Sequence, residues 1–448
     1  VHRSSDDLPD YRSRVRGCLL GGALGDALGA PVEFESIQRI RRQYGSAGLT
    51  GPVADWRGRI GLITDDTQMT LFTVEGLIRG GGTTAGAPAH GDETTVEEPA
   101  HGGETTVEGP ARGDGTTIKG PARGDGTAPG RPGHGAGTTV EGPSIQEEVA
   151  AVRRAYLRWL DTQQHPSPPP ADPPADGVSP TDDVSPVNGA SPRDGAFRTG
   201  RLREQRWLYS QRAPGNACLS GLRHGRAAAP APLGAPGPVN SGSKGCGTVM
   251  RSAPFGLRPR GARHAFELAA RCAQITHGHP TGYLAAGAFA AAVHFLMEDE
   301  PLPQAVRKAT DLLETYPGHE ETSRALRAAV ALAAEGDPSP EKVESLGGAW
   351  VAEEALAIAV YCALAHPGPG DLRQALLLAV NHSGDSDSTG AVCGNLLGVL
   401  HGETALPADW LAHLEGREAI AGLADDFVAR SAEGHRVTDA WLEKYPGG

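Results

Sequence analysis

Gly17, Gly21, Gly25 and Gly29 recur every fourth residue within a stretch that otherwise reads as helix. This spacing is close to the helical repeat, so the four glycines share one stripe. Each costs the helix roughly 1 kcal/mol relative to alanine. A stripe of four therefore needs compensation, and a second backbone approaching closely along it supplies that. Val15, Leu19, Ala23 and Ala27 form an apolar row on one side. The pattern predicts a helix over 10–29, ended by Pro31. The arginines upstream and the short length favour a tightly packed core over a membrane helix pair.

Composition is uneven. The chain has 448 residues and a net charge of −13, with 62 Gly and 36 Pro. Residues 81–143 and 165–196 hold much of the Gly and Pro, and together carry 14 acids against 5 bases. The remainder is only mildly acidic, which argues against a nucleic acid partner. Thr-Thr pairs begin at Thr83, Thr94, Thr105, Thr116 and Thr138, in steps of 11 or 22. An 11-residue period suits a right-handed coiled coil, but units this rich in Pro and Gly do not. Both segments are expected to be disordered low-complexity inserts in a single domain over 10–430.

Elsewhere the periodicity is helical: 65–80, 144–164, 262–276, 281–298, 302–315, 319–335, 350–365, 371–380, 388–401 and 417–430. Alternating strand patterns are scarce, so the expected class is all-α, a compact helical bundle. None of the six cysteines forms a C-x-x-C pair, and most sit among small or apolar residues. That pattern reads as core thiols in a reducing compartment. No apolar signal core opens the chain and no apolar run reads as membrane-spanning, so a cytoplasmic protein without a membrane partner is expected.

Two acidic clusters carry the chemistry: Thr64-Asp65-Asp66-Thr67 and Ser383-Gly384-Asp385-Ser386-Asp387-Ser388. Each precedes a predicted helix, so one reading is N-capping. A cap needs one oxygen, however, and each cluster offers four or more. Carboxylates this close repel unless a cation lies between them, and oxygen-only donors suit Mg²⁺ or Mn²⁺. No H-E-x-x-H occurs, and the histidines lack zinc-ligand spacing.

With these residues in view, the chain resembles the ADP-ribosylglycohydrolases. The resemblance rests on six strings in order: Gly17 to Gly29, Pro31-Val32-Glu33-Phe34, Thr64 to Met69, Gly242 to Arg251, Thr276-His277, and Ser383 to Gly390. It implies a compact, orthogonal all-α fold with two Mg²⁺ or Mn²⁺ ions held by Thr64, Asp65, Asp66, Asp385, Asp387 and Ser388. It implies Glu33, or Asp65 and Asp66, as the catalytic acid/base, with Asp26 orienting from behind. Gly242, Ser243, Lys244, Gly245, Cys246 and Gly247 would line the ribose and diphosphate, with His277 beside them. From the residues alone, the glycine segment reads equally as a plain turn and His277 as a satisfied core histidine. Arg212-Ala213-Pro214-Gly215-Asn216 also resembles a family segment and carries no assigned role. The implied activity is hydrolysis of ADP-ribose from a modified protein side chain, most simply arginine, by a monomer acting on ADP-ribosylated protein or ADP-ribose. Two alternatives stay open: an inactive binding or structural protein on this fold, or a two-metal phosphohydrolase of ADP-ribose.

Overall fold

A computed structural model of the chain describes residues 8–55, 57–80, 143–170, 198–224, 229–432 and 437–446. The expected inserts fall almost wholly on 81–142 and 171–197, outside the described residues. Regular structure among the described residues is entirely helical apart from one isolated antiparallel bridge, Gly245 to Val351. The α-helices are α1 (Leu8–Gly29), α2 (Ile37–Tyr44), α3 (Asp65–Arg79), α4 (Ile145–Gln164), α5 (Asn216–His224), α6 (Ala253–Gly256), α7 (Ala262–Ala273), α8 (Pro280–Met297) and α9 (Leu302–Leu313). They continue as α10 (Glu320–Ala334), α11 (Pro340–Glu344), α12 (Ala352–Ala365), α13 (Leu372–Val380), α14 (Ser386–His401), α15 (Ala408–Leu411), α16 (Arg417–Ser431) and α17 (Asp439–Lys444).

The glycine stripe of α1 meets a second one on α14, formed by Gly390, Gly394 and Gly398. The two helices run antiparallel: Gly17 faces Gly398, Gly21 faces Gly394, Gly25 faces Gly390, and Gly29 abuts Ser386 and Asp387. This is the most extensive helix–helix contact in the fold. Antiparallel pairing brings the C-terminal end of α1 to the N-terminal end of α14, which is where the site assembles.

Helix α3 is buried along its whole length, polar residues included. Its one internal acid, Glu75, is neutralised by Arg79 at 2.9 Å and Arg158 of α4 at 2.8 Å. Ser144 and Glu147 form a reciprocal capping box that starts α4. All six cysteines are free thiols, five of them buried.

Two expectations change. Helix α8 is, by length and composition alone, apolar enough to cross a membrane, contrary to the sequence reading. It is 89% buried inside the protein, and its Ala-rich surface serves packing against α7 and α9. Helices α2, α5, α6, α11, α15 and α17 are additional. Helix α2 buries only Ile37 and Ile40, too few apolar positions to show a period.

Candidate active site

Both acidic clusters do cap helices, and capping leaves most of their oxygens unused. Thr64 is the N-cap of α3, its hydroxyl accepting from the Asp66 N–H at 3.3 Å. Asp385 is the N-cap of α14, Oδ1 accepting from the Ser388 N–H at 3.2 Å, while Asp387 Oδ1 accepts from the same N–H at 2.9 Å. Gly384, at φ 136°, makes the sharp entry to this helix and lets the Asp385 N–H donate to the Gly348 carbonyl at 3.0 Å.

Asp26 ties α1 to α3. Its carboxylate accepts from the Thr64 N–H at 3.0 Å, the Thr67 N–H at 3.1 Å and the Thr67 hydroxyl. With its oxygens spent this way, it braces the first cluster through Thr64 and Thr67.

Just beyond the end of α1, Glu33 joins Asp385 and Asp387, with one carboxylate oxygen of each lying within 4.8 Å of the others. Asp65 and Asp66 reach the same centre from α3. Burial, and then the charge of Asp387, pushes both well above the usual carboxylate range. Asp385 is raised by the same two causes. Glu33 is pushed up to about 10 by burial, then by Asp387 and Asp385. Asp26 rises to about 7 through burial and Asp387, against the opposing bonds from Thr67 and Thr64.

So many carboxylates cannot all ionise in one dry pocket without compensating positive charge. A hard divalent cation fits on two observations. The donors from both clusters are oxygens, and Asp66 Oδ1 is buried with no hydrogen-bond partner. Thr64 Oγ1 stands 3.5 Å from Asp66 Oδ2.

The glycine segment behaves less simply than its sequence suggests. Cys246 donates its thiol to Asp385 Oδ2 at 2.7 Å, so this residue touches the acidic centre directly. Burial and Asp385 push that thiol well up, which keeps it a neutral donor. The Lys244 ammonium is held by Glu321, at 2.6 Å, and by Glu353. The Ser243 N–H donates to the Asn240 carbonyl at 2.8 Å and the Cys246 N–H to the Trp350 carbonyl at 3.3 Å, so these two are spent on the loop's own architecture. Gly245 and Gly247 clear room for His277: a Cβ on Gly245 would come within 3.2 Å of its Nε2. His277 is buried, its Nδ1 lying 2.8 Å from the Thr276 hydroxyl. Burial and Arg251 bring it down to about 3, so it stays neutral.

Two features at the site had no role in the sequence. The Arg212–Asn216 segment supports Asp65: the Asp65 N–H donates to the Arg212 carbonyl at 3.4 Å, and the Gly215 N–H donates to Asp65 Oδ2 at 3.4 Å. The Arg212 guanidinium is itself anchored on Glu415. Phe34, at φ 65° and 66% exposed, stacks on Trp350 with centroids 5.1 Å apart. Trp350 thus packs on a ring at the rim beside Glu33. Both features join segments far apart in the chain, Gly215 and Asp65 by 150 positions, and no local pattern signals them.

The family model for ADP-ribosylglycohydrolases matches residues 7–140 and 133–436. The chain is 27% identical over 226 residues to ADP-ribosylhydrolase ARH3 of Bos taurus, covering 44% of this chain and 58% of that protein. Against ADP-ribosylhydrolase ARH3 of Homo sapiens it is 28% identical over 220 residues, 44% of this chain and 59% of that one. The chain thus spans somewhat over half the length of these curated relatives. It is also 48% identical over 65 residues to the ADP-ribosyl-[dinitrogen reductase] glycohydrolase of Rhodospirillum rubrum, 14% of this chain and 21% of that protein. A solved structure titled ADP-ribosylglycohydrolase-related protein complex aligns over 95% of this chain and 100% of its own, at 21% identity and a TM-score of 0.47. The family model takes in the glycine ladder, both acidic clusters and the loop between them, and the chain belongs to the ADP-ribosylglycohydrolase family.

Proposed function

We propose that the chain is a hydrolase that cleaves the glycosidic bond between ADP-ribose and a modified protein side chain, with arginine as that side chain. The observation carrying this reading is the meeting of Glu33, Asp385 and Asp387 within 4.8 Å, faced by Asp65 and Asp66 from a second helix end. Thr64, Asp65, Asp66, Asp385, Asp387 and Ser388 would hold two Mg²⁺ or Mn²⁺ ions, which when bound supply the positive charge that fixes the vicinal hydroxyls of the ribose.

The chain's own groups then account for the rest. Glu33, which meets Asp385 and Asp387 just beyond the end of α1, is placed to hand a proton to the departing nitrogen. As carboxylate it can take one from the attacking water. Water adds at the anomeric carbon as the carbon–nitrogen bond breaks through an oxocarbenium-like state. Asp65, steadied by Gly215 and Arg212, is the second candidate to orient that water. The acid-rich centre also suits a cationic leaving group, which supports a guanidinium. All six expected ligand positions carry oxygen donors, which supports a working centre over an inert relative.

The test incubates the chain with ADP-ribosyl-arginine and ADP-ribosyl-serine peptides, with Mg²⁺, Mn²⁺ or a chelator. Free ADP-ribose from the arginine peptide, lost with the chelator, is the expected result. AMP as product would point to cleavage of the diphosphate, and no product would point to a scaffold.

A further inference from the structure

Beside the acidic centre lies an open cleft of about 810 Å³, between one face of α5 and the turn at 240–243. Its volume suits a small-molecule ligand. Asn216, Ser220 and Arg223 line it from α5, and Asn240, Ser241 and Ser243 from the turn. Both walls lead back to the centre. Gly215, just before α5, donates to Asp65, and the turn runs on to Cys246, which donates to Asp385.

The chemistry of this cleft is the reverse of the centre's. Among the described residues lining it there is no carboxylate and no aromatic ring, and the single charged group is the Arg223 guanidinium. Arg223 is exposed, and among the described residues it pairs with no acid. The other nearby cation, Lys244, is committed to Glu321 and Glu353. Asn240 is spent as well: its amide donates to the Ala217 carbonyl at 3.1 Å and the Thr276 carbonyl at 2.9 Å, which braces the turn against α5. An exposed guanidinium flanked by the Ser241 and Ser243 hydroxyls is a donor set for phosphate oxygens. Arg223 stands about two helical turns along α5 from Asn216.

We propose that Arg223 is a substrate-binding residue that holds the diphosphate of the ADP-ribose moiety in this cleft. This rests on the functional reading above. The cleft adjoins the centre through Gly215 and Cys246, and Arg223 is the one cation among its described lining residues that can receive the diphosphate.

The test measures binding of ADP to the full chain in Mg²⁺ by calorimetry, and KM for release of ADP-ribose. The variants are Arg223→Ala, Arg223→Lys and, as a charge control, Arg324→Ala on the exposed face of α10. Loss of a charged hydrogen-bonding partner predicts that Arg223→Ala weakens ADP binding about tenfold or more. KM should rise far more than kcat falls, which marks lost binding rather than lost chemistry. Arg223→Lys should recover part of the affinity, and Arg324→Ala should match the parent chain. Parent-like ADP affinity and KM in Arg223→Ala, or an equal loss in Arg324→Ala, would overturn the assignment. ADP binding that depends on Arg223 in a chain that releases no ADP-ribose would uphold this cleft and defeat the proposed reaction. Release of ADP-ribose with KM indifferent to Arg223 would do the opposite.

Discussion

Gly25 and Gly390 face each other across α1 and α14 so closely that a Cβ on either would lie against the other's carbonyl. The same holds for Gly21 with Gly394 and Gly17 with Gly398. This ladder sets the register of the two helices, and the register sets Asp26 and Glu33 beside Asp387.

Gly25→Ala should therefore destabilise the fold. Helix propensity alone would favour alanine by about 1 kcal/mol. Overpacking against a backbone that cannot yield costs about 1–3 kcal/mol or more, and here it wins. Gly422 in α16 has nothing within 4 Å of where its Cβ would lie. Gly422→Ala should stabilise by about 0.5–1 kcal/mol. Denaturant titration of the two variants checks the opposite signs, and a stable Gly25→Ala would sink the ladder argument.

Asp387 raises the carboxyls of Glu33, Asp65, Asp66, Asp385 and Asp26. Asp387→Asn should then raise the Tm of the chelated protein by relieving repulsion. It should also abolish the further Tm rise that Mg²⁺ or Mn²⁺ brings to the parent, together with release of ADP-ribose. Thermal melts with and without metal read both effects. A variant that keeps its metal-induced shift would remove Asp387 from the ligand set.

Glu33 and Asp26 hold protons in the folded state that the unfolded chain releases at ordinary carboxylate values. Their folded values are raised, to about 10 and about 7. Their contribution to stability is full below about pH 4 and is lost as pH rises through 7 toward 10. In chelator, the unfolding midpoint should fall from pH 5 to pH 8, and Glu33→Gln should flatten that fall. Saturating Mg²⁺ should oppose it, because cation binding displaces the protons. A midpoint that climbs over this range in chelator would contradict the site's electrostatics.

Glu75 has the opposite sign. Burial would raise it, but Arg158 and Arg79 hold it below the usual range, so its contribution is present above its unfolded value and lost as pH falls. Glu75→Gln leaves two buried guanidinium groups without a counterion and should cost about 3–5 kcal/mol. Urea unfolding at neutral pH measures this, and a loss under 1 kcal/mol would mean water reaches the pair.

Much of this was readable along the chain because capping and periodicity are local. Thr64 caps α3 where its sequence places it, while the second cluster caps α14 from Asp385, so that the helix starts at Ser386, two residues ahead of the expected 388. The repeat of Gly390, Gly394 and Gly398 was equally plain in the letters, yet its meaning depends on the partner stripe. Lys244 reads as a substrate contact within its glycine string. Its commitment to Glu321 and Glu353 spans 77 and 109 positions, beyond any local signal. Cys246 lies in the same string, and its bond to Asp385 spans 139 positions.

By itself the sequence determined the long helices and which short stretches bear carboxylates, since these follow from side-chain chemistry over a few residues, while the short helices, α2 among them, carry too few apolar positions to show a period. Tertiary structure alone decided that residues 26–33, 64–66 and 385–388 share one pocket and that a cleft of opposite charge character adjoins it. The physical reason is steric: two helices without side chains along their contact can close to backbone distance in only a narrow range of registers, and that register, invisible in either helix alone, carries the acids to one place.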